Sequence, residues 1–327
     1  MHIPDNYLSP ETCGVMAVVA FPIVALCAKK VREHLPAEKM PMLGVGAAIS
    51  FLLMMFNVPV PGGTSAHAVG GTLLAALLGP EAACLCVAAA LFIQAVFFGD
   101  GGILALGANI FNMAIVMPFL GYGLYVVLQK WLPKLVSLAI GAYVGINLAA
   151  LCAAVEFGVQ PALFHTAAGV PLYCPYPLTI SLPAMMIPHL TIAGLAEAIF
   201  AVGIYSFVGK ADSSTLREAA TSVHIRAKRL YGLIIALVVL CPLGLLTSAG
   251  AWGEWGADEI SDVITGGVPL GFVPSGMANG FDWTPLFADY SVTGLPESMG
   301  YILSAIIGIA LLVIVFKLFS AGRRQTA

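Results

Sequence analysis

Lys134-Leu135-Val136-Ser137-Leu138-Ala139-Ile140-Gly141-Ala142-Tyr143-Val144-Gly145-Ile146-Asn147-Leu148-Ala149-Ala150-Leu151-Cys152-Ala153-Ala154-Val155 runs from a lysine to the next charged residue, Glu156, without a single charge between them. Wound as a helix, a segment of this length crosses a hydrocarbon core of about 30 Å. Working outward, eight further apolar stretches occur at 11–28, 41–58, 64–80, 82–98, 103–128, 180–208, 230–248 and 299–319. The 64–80 and 82–98 pair is short, which admits tilted or partly re-entrant segments. With 60% hydrophobic and 9% charged residues and a mean hydropathy of +0.96, the 327-residue chain lies outside the range of soluble domains. The expected fold is all-α, a polytopic transmembrane helical bundle with a seven-helix body and a two-helix C-terminal unit. The polar stretch 210–229, which carries Lys210, Asp212, Arg217, Arg226, Lys228 and Arg229, reads as a cytoplasmic connector with a short helix at 215–229. It divides a body at 1–209 from a two-span accessory unit at 230–327, whose external loop is 249–298.

With the N-terminus outside, all 14 Lys and Arg residues fall in cytoplasmic segments, which satisfies the positive-inside rule at every loop. A multi-pass protein of the plasma (inner) membrane is expected, N-terminus external and C-terminus cytoplasmic. The 249–298 segment holds Glu254, Asp258, Glu259, Asp262, Asp282, Asp289 and Glu297 and no basic residue. Its field attracts cations, or it is simply a loop kept free of positive charge. No basic n-region precedes the first apolar stretch, so no cleaved signal peptide is expected. The bulk of His2 is expected to protect Met1 from removal.

The start Met1-His2-Ile3-Pro4-Asp5 has a ligand set of its own. The amine of Met1, the amide nitrogen of His2 and its imidazole Nδ1 are spaced to close two fused rings around one ion. Such planar nitrogen coordination suits Ni(II), Cu(II) or low-spin Co(II), not Mg or Ca, which take oxygen cages. A fourth nitrogen is needed, and His67 in Pro61-Gly62-Gly63-Thr64-Ser65-Ala66-His67-Ala68-Val69-Gly70-Gly71 is the candidate. Thr64 or Ser65 is expected to cap the helix that follows, with His67 in its first turn, where the helix dipole favours the neutral, ligating imidazole. A plain hydrogen-bonded core histidine is the alternative for His67. Asp100, in Gly99-Asp100-Gly101-Gly102, and Asn109 and Asn112 after it are candidates to accept from the histidine N–H groups, as are Thr64 and Ser65. A turn and helix cap is the other reading of Asp100.

His189 and Glu197, eight residues apart in one stretch, are costly at that depth and read either as structural hydrogen-bonding groups or as part of a polar pathway, not as ligands. Glu156 and His165 are placed in an external loop, 156–180. The seven cysteines form no disulfide framework, and Cys84 and Cys86 point to different helix faces. No phosphate-binding loop, H-E-x-x-H pair or G-x-S-x-G elbow is present, so no catalytic site and no ATPase of the chain's own are expected.

Met1-His2-Ile3-Pro4-Asp5, Pro61-Gly62-Gly63-Thr64-Ser65-Ala66-His67, and Gly99-Asp100-Gly101-Gly102 with Leu106-Gly107-Ala108-Asn109 resemble the CbiM/NikM family, the substrate-capture components of energy-coupling-factor transporters for cobalt and nickel. The resemblance covers about residues 1–209. It implies that Met1, His2 and His67 hold the metal, that Co(II) or Ni(II) is substrate with no permanent cofactor, and that a transmembrane coupling protein and a cytoplasmic ATPase pair are partners. Membrane lipid surrounds the chain, and no nucleic-acid partner is expected. The family usually has Asp-Gly after its start where this chain has Asp5-Asn6, a departure that bears on the turn and not on the liganding atoms. Residues 230–319 look like the accessory two-span component, fused here, with Ala251-Trp252-Gly253-Glu254-Trp255-Gly256-Ala257-Asp258-Glu259 in its external loop. A self-sufficient cation carrier or channel using Glu197 and His189 is the main rival, and an intramembrane enzyme or respiratory assembly protein the lesser one.

Overall fold

The computed structural model describes residues 1–36, 40–60, 64–209, 223–246, 250–265 and 268–324. The first nine residues form no helix, and α1 (Pro10–His34) starts where Ser9 Oγ accepts from the Thr12 N–H and Pro10 occupies a first-turn position that needs no amide. α2 (Met40–Met54) is apolar and buried nearly all round, as befits a central helix. A hairpin follows, β1 (Val58–Val60) against β2 (Thr64–Ala66), with Val58 opposite Ala66. Then come α3 (Gly71–Leu78) and α4 (Pro80–Ile93), which runs on into a π-helical turn, Gln94–Phe98. α5 (Leu106–Asn109), a second π-helical segment (Ile110–Val116) and α6 (Met117–Leu128) form one rod. α7 (Lys134–Leu163) is the longest helix of the body. α8 (Leu178–Pro188), a third π-helical turn (His189–Ala193) and α9 (Gly194–Gly209) complete it.

Beyond it, α10 (Val223–Leu240) ends in a 3-10 turn, Cys241–Leu246. A long loop holds the pair β3 (Ile264–Thr265) and β4 (Val268–Pro269) and the single turn α11 (Ser275–Ala278), and α12 (Glu297–Arg324) closes the chain. Among the described residues, six helical rods are long and apolar enough to cross a membrane: Pro10–His34, Pro80–Phe98, Leu106–Leu128, Lys134–Leu163, Leu178–Val208 and Glu297–Phe319. Met40–Met54 and Leu230–Leu246 are shorter apolar helices. The molecule is a multi-pass helical membrane protein.

Packing depends on small residues where rods cross. A Cβ on Gly141 of α7 would stand 2.6 Å from Gly121 O of α6, and one on Gly145 would stand 2.7 Å from Thr72 Oγ1 of α3. Only glycine permits that approach of three helices. α12 lies along α2, where a Cβ on Gly44 would meet the Val313 Cα at 3.4 Å. Tyr301 of α12 donates to Met55 O at 2.7 Å, fastening the C-terminal unit to the body.

Four expectations change. The stretch 64–80 is not one helix: strand β2 and an extended segment, 67–70, precede a helix of eight residues, roughly 12 Å long. Gly70 adopts φ 77°, a left-handed turn that a continuous helix cannot contain. Thr64 and Ser65 therefore sit in a strand and cap nothing, and His67 precedes the first helical residue by four positions. α7 continues to Leu163, so Glu156 is not in a loop but buried within the helix, where Asn112 Nδ2 donates to it at 2.7 Å. The Pro61-Gly62-Gly63 part of the His67 motif and residues 210–222 of the expected connector and its helix lie outside the described residues.

Candidate metal centre

Met1, His2 and Ile3 are buried, although they begin the chain. Backbone and side-chain bonds thread this strand into the body. Ile3 N–H donates to Asn109 Oδ1 at 2.8 Å, and Asn109 Nδ2 and the Gly102 N–H donate back to Ile3 O at 2.9 and 2.8 Å. The Asp5 carboxylate accepts from the Ile103 and Leu104 amides at 3.0 and 2.7 Å. Asn6 takes φ 67°. It thus supplies the left-handed turn that a glycine usually provides, which asparagine tolerates better than most residues. Further on, the Cys174 N–H donates to Tyr7 O and the Ser9 N–H to Gln160 Oε1, both at 3.0 Å.

This threading stacks the His2 and His67 rings, centroids 4.8 Å apart and planes 27° from parallel. His67 Nδ1 lies 3.1 Å from Ala68 O, which places its proton there and leaves Nε2 with a bare lone pair. His67 Nε2 and His2 Nε2 are both buried and meet no partner among the described residues. His2 Nδ1 faces Asp100 Oδ1 at 2.9 Å. A chelate through Nδ1 therefore needs the ring to turn about its Cβ–Cγ bond and leave that carboxylate. The Met1 amine is 3.2 Å from Glu254 Oε1. Among the described residues no three His, Cys, Asp or Glu side chains converge as a metal cage. A site at this place has to draw on backbone nitrogen, which the chain start supplies.

Asp100 is the best-held acid of the group. Gln94 Nε2 at 3.2 Å and the Tyr290 hydroxyl at 2.5 Å donate to its Oδ2. Burial alone would push its carboxyl up, but the imidazoles of His2 and His67 and the Tyr290 hydroxyl outweigh that and hold it well below the usual carboxylate range. Of the other candidates, Asn109 binds the Ile3 backbone and Asn112 binds Glu156. Thr64 Oγ1 and the Ser65 N–H donate to Gly250 O. Among the described residues, none of these four hydrogen-bonds an imidazole.

Several supporting residues are not apparent from the sequence. Glu197 of α9 accepts from the Val69 N–H at 2.7 Å and the Gly70 N–H at 3.0 Å, pinning the extended segment that carries His67. Irregular backbone at that depth is tolerable only when buried in protein with its amides satisfied. Glu254, Tyr290 and Phe281 all come from the loop after α10; Phe281 exchanges 2.8 Å bonds in both directions with Asn6. Tyr7 donates to Trp255 O at 2.9 Å. The sequence signal for this covering is the unbroken acidity of that loop.

Residues 2–215 match the family described as "Cobalt uptake substrate-specific transmembrane region", and residues 226–324 match the PDGLE domain. The chain is 49% identical to the "Probable fused nickel transport protein LarMN" of Lactiplantibacillus plantarum over 97% of each chain. It is 43% identical to the "Fused nickel transport protein NikMN" of Rhodobacter capsulatus, over 99% of this chain and 98% of that one. A crystal structure of a truncated transition metal transporter is 55% identical, covers 64% of this chain and 99% of its own, and superposes with a TM-score of 0.62.

Proposed function

The chain belongs to the CbiM family and carries a PDGLE domain behind it, and on that footing we propose that it captures Ni(II) or Co(II) outside the cell as the substrate-binding component of an energy-coupling-factor transporter. One observation carries the reading: the Met1 amine region, the His2 ring and the His67 ring meet in one buried place, with two imidazole nitrogens bare. Buried polar atoms seldom lack partners, and His67 Nε2, bare against the stacked His2 ring, points to a ligand held between the two residues.

The cargo metal is held by the Met1 amine, the deprotonated His2 amide, the His2 imidazole after its turn away from Asp100, and His67 Nε2. Asp100 stays ionised beside the cation and offsets part of its charge. Glu254 holds the amine as an ion pair until the metal replaces the proton. The N-terminus faces outside and the C-terminus the cytoplasm, and a membrane coupling protein with an ATPase pair drives the cycle. A carrier with a proton path through Glu197 fits less well, because that carboxylate is engaged by two amides.

The test is metal content by mass spectrometry and d–d absorption on purified protein with its natural N-terminus, beside His2→Ala and His67→Ala. One planar nitrogen site per chain, lost in both variants and in a form with one residue added before Met1, is the expected result. Equal metal content in all four proteins would refute the ligand set.

A further inference from the structure

The N-terminal strand is seated on two separate elements. Asn109, at the end of α5, bonds both the N–H and the carbonyl of Ile3. α7 holds the strand's other end: Gln160 Oε1 accepts from the Ser9 N–H at 3.0 Å, and the Phe157 ring lies edge-on to Tyr7, centroids 5.6 Å apart. About one turn from each of these seats stand Asn112 and Glu156, joined by the 2.7 Å bond from Asn112 Nδ2 to Glu156 Oε2. Among the described residues no other hydrogen bond joins α7 to the segment 106–116. Asn112 lies in the π-helical part of that segment, and such winding re-aims side chains and recurs at functional sites. Glu156 O in turn accepts from Gln160 Nε2 at 3.0 Å, so the residue that grips Ser9 is itself held from Glu156. The pair is buried, and its remaining oxygens, Glu156 Oε1 and Asn112 Oδ1, meet no partner among the described residues. Empty buried acceptors are costly, and among the described residues no basic side chain pairs with this carboxyl. One proton on Oε1, donated to Oδ1, satisfies both oxygens and removes a charge that is expensive inside a membrane bundle.

We propose that Glu156, as a neutral acid closed in a two-bond ring with Asn112, is a positioning residue for the metal centre, fixing the spacing of the two elements that seat the chelating strand. An N–H donated to Oε2 and an O–H donated to Oδ1 make a planar clasp that resists sliding and twisting of α7 against the 106–116 segment. Ile3 hangs from one element and Ser9 from the other, so a shift between the two carries through Asn109 or Gln160 into the strand. The Met1 amine and the His2 amide are neighbours through covalent bonds, whereas their meeting with His67 depends on where Ile3 is seated. Glu156 acts through Asn109 and Gln160 and touches neither His2 nor His67 by any hydrogen bond among the described residues.

This role rests on the capture reading, and its test separates the two. Full-length protein with its natural N-terminus is titrated with Ni(II) in detergent, and the d–d band is read across a range of pH. Glu156→Gln can close the same ring, its Nε2 donating to Asn112 Oδ1 and its Oε1 accepting from Asn112 Nδ2. It should keep both the affinity and the pH profile of the natural chain. Glu156→Leu cannot bond Asn112. It should bind one nickel with the same planar spectrum but about tenfold more weakly, the size of loss usual for one metal-supporting residue. Without nickel, its amides at residues 3–9 should exchange hydrogen faster than in the natural chain. Asn112→Leu should lose as much affinity, and the double variant no more than either single, because both act through one clasp. A loss in Glu156→Gln as large as in Glu156→Leu would show that charge acts and not the clasp. Equal affinity in Glu156→Leu and the natural chain, or losses that add in the double variant, would show that no clasp acts. Each of these outcomes overturns the positioning role while leaving capture intact, and the Glu156→Gln arm decides even if neither leucine variant folds. A natural chain that binds no planar nickel overturns capture, and the positioning role with it.

Discussion

Asn6 illustrates how one residue can carry both a local turn and a distant contact. Its φ of 67° lies where L-residues with branched side chains are strained, while its amide side chain bonds the Phe281 backbone in both directions. Asn6→Val is expected to lose about 1–2 kcal/mol of stability, from the left-handed backbone, and to weaken metal binding by displacing the strand. Asn6→Gly should keep the turn and the metal but loosen the covering loop. Thermal unfolding in detergent with a nickel titration on each variant checks both. The pH dependence is also set at this scale. The Asp100 carboxyl is depressed in the folded protein, so its contribution is complete above the ordinary carboxylate range and is lost only as pH falls well below that range. Loss of nickel affinity between about pH 8 and pH 6 must therefore come from protons competing for the amine, the amide and the imidazoles. Affinity should fall steadily across that interval, and a flat titration would contradict a ligand set of amine and amide.

Among the elements, the unusual one is the extended stretch 67–70 that takes the place of helix between β2 and α3. Two amides that a helix would satisfy internally are bonded by Glu197 from α9. Gly70 turns into α3 with φ 77°, a left-handed conformation that fixes the residue type by strain. Glu197→Gln replaces one accepting oxygen by a donor that faces an N–H. It should cost about 1–3 kcal/mol, the range for an unsatisfied buried group, and lower nickel affinity through His67 without touching the metal. Equal affinities in calorimetry for Glu197→Gln and the natural chain would show that His67 does not depend on this tether. The π-helical segments belong to the same picture: one leads into Gly99-Asp100, one carries Asn112 and one starts at His189.

In the whole molecule the covering unit and the body share one site. The loop after α10 supplies Glu254 to the Met1 amine, Trp255 O to Tyr7, Phe281 to Asn6 and Tyr290 to Asp100. Ser304 of α12 donates to Tyr290 O at 2.8 Å, so the loop is tied to a membrane helix at one side and to Asp100, the partner of His2, at the other. Tyr290→Phe removes a hydrogen bond to a carboxylate, a class of bond worth about 1.5–3 kcal/mol. It should make the 250–298 loop more readily cleaved by protease while the site still fills with nickel. Unchanged cleavage would mean that the other contacts suffice to hold the loop.

The class of protein was written in the chain, because continuous apolar runs such as 135–155 leave no other solution in water, and backbone hydrogen bonding in lipid then dictates helix. The ligand candidates were legible for a similar reason: a terminal amine, the next amide and the His2 imidazole are neighbours through covalent bonds, independent of folding. His67 was legible only as a candidate, since its meeting with His2 needs the strand to enter the bundle. Tertiary structure alone decided the rest. A glutamate at 197 holding amides at 69 and 70, and a tyrosine at 290 holding an aspartate at 100, are contacts across more than a hundred residues. They exist because burial leaves those polar groups no water and each had to find its partner in whatever the fold brought beside it.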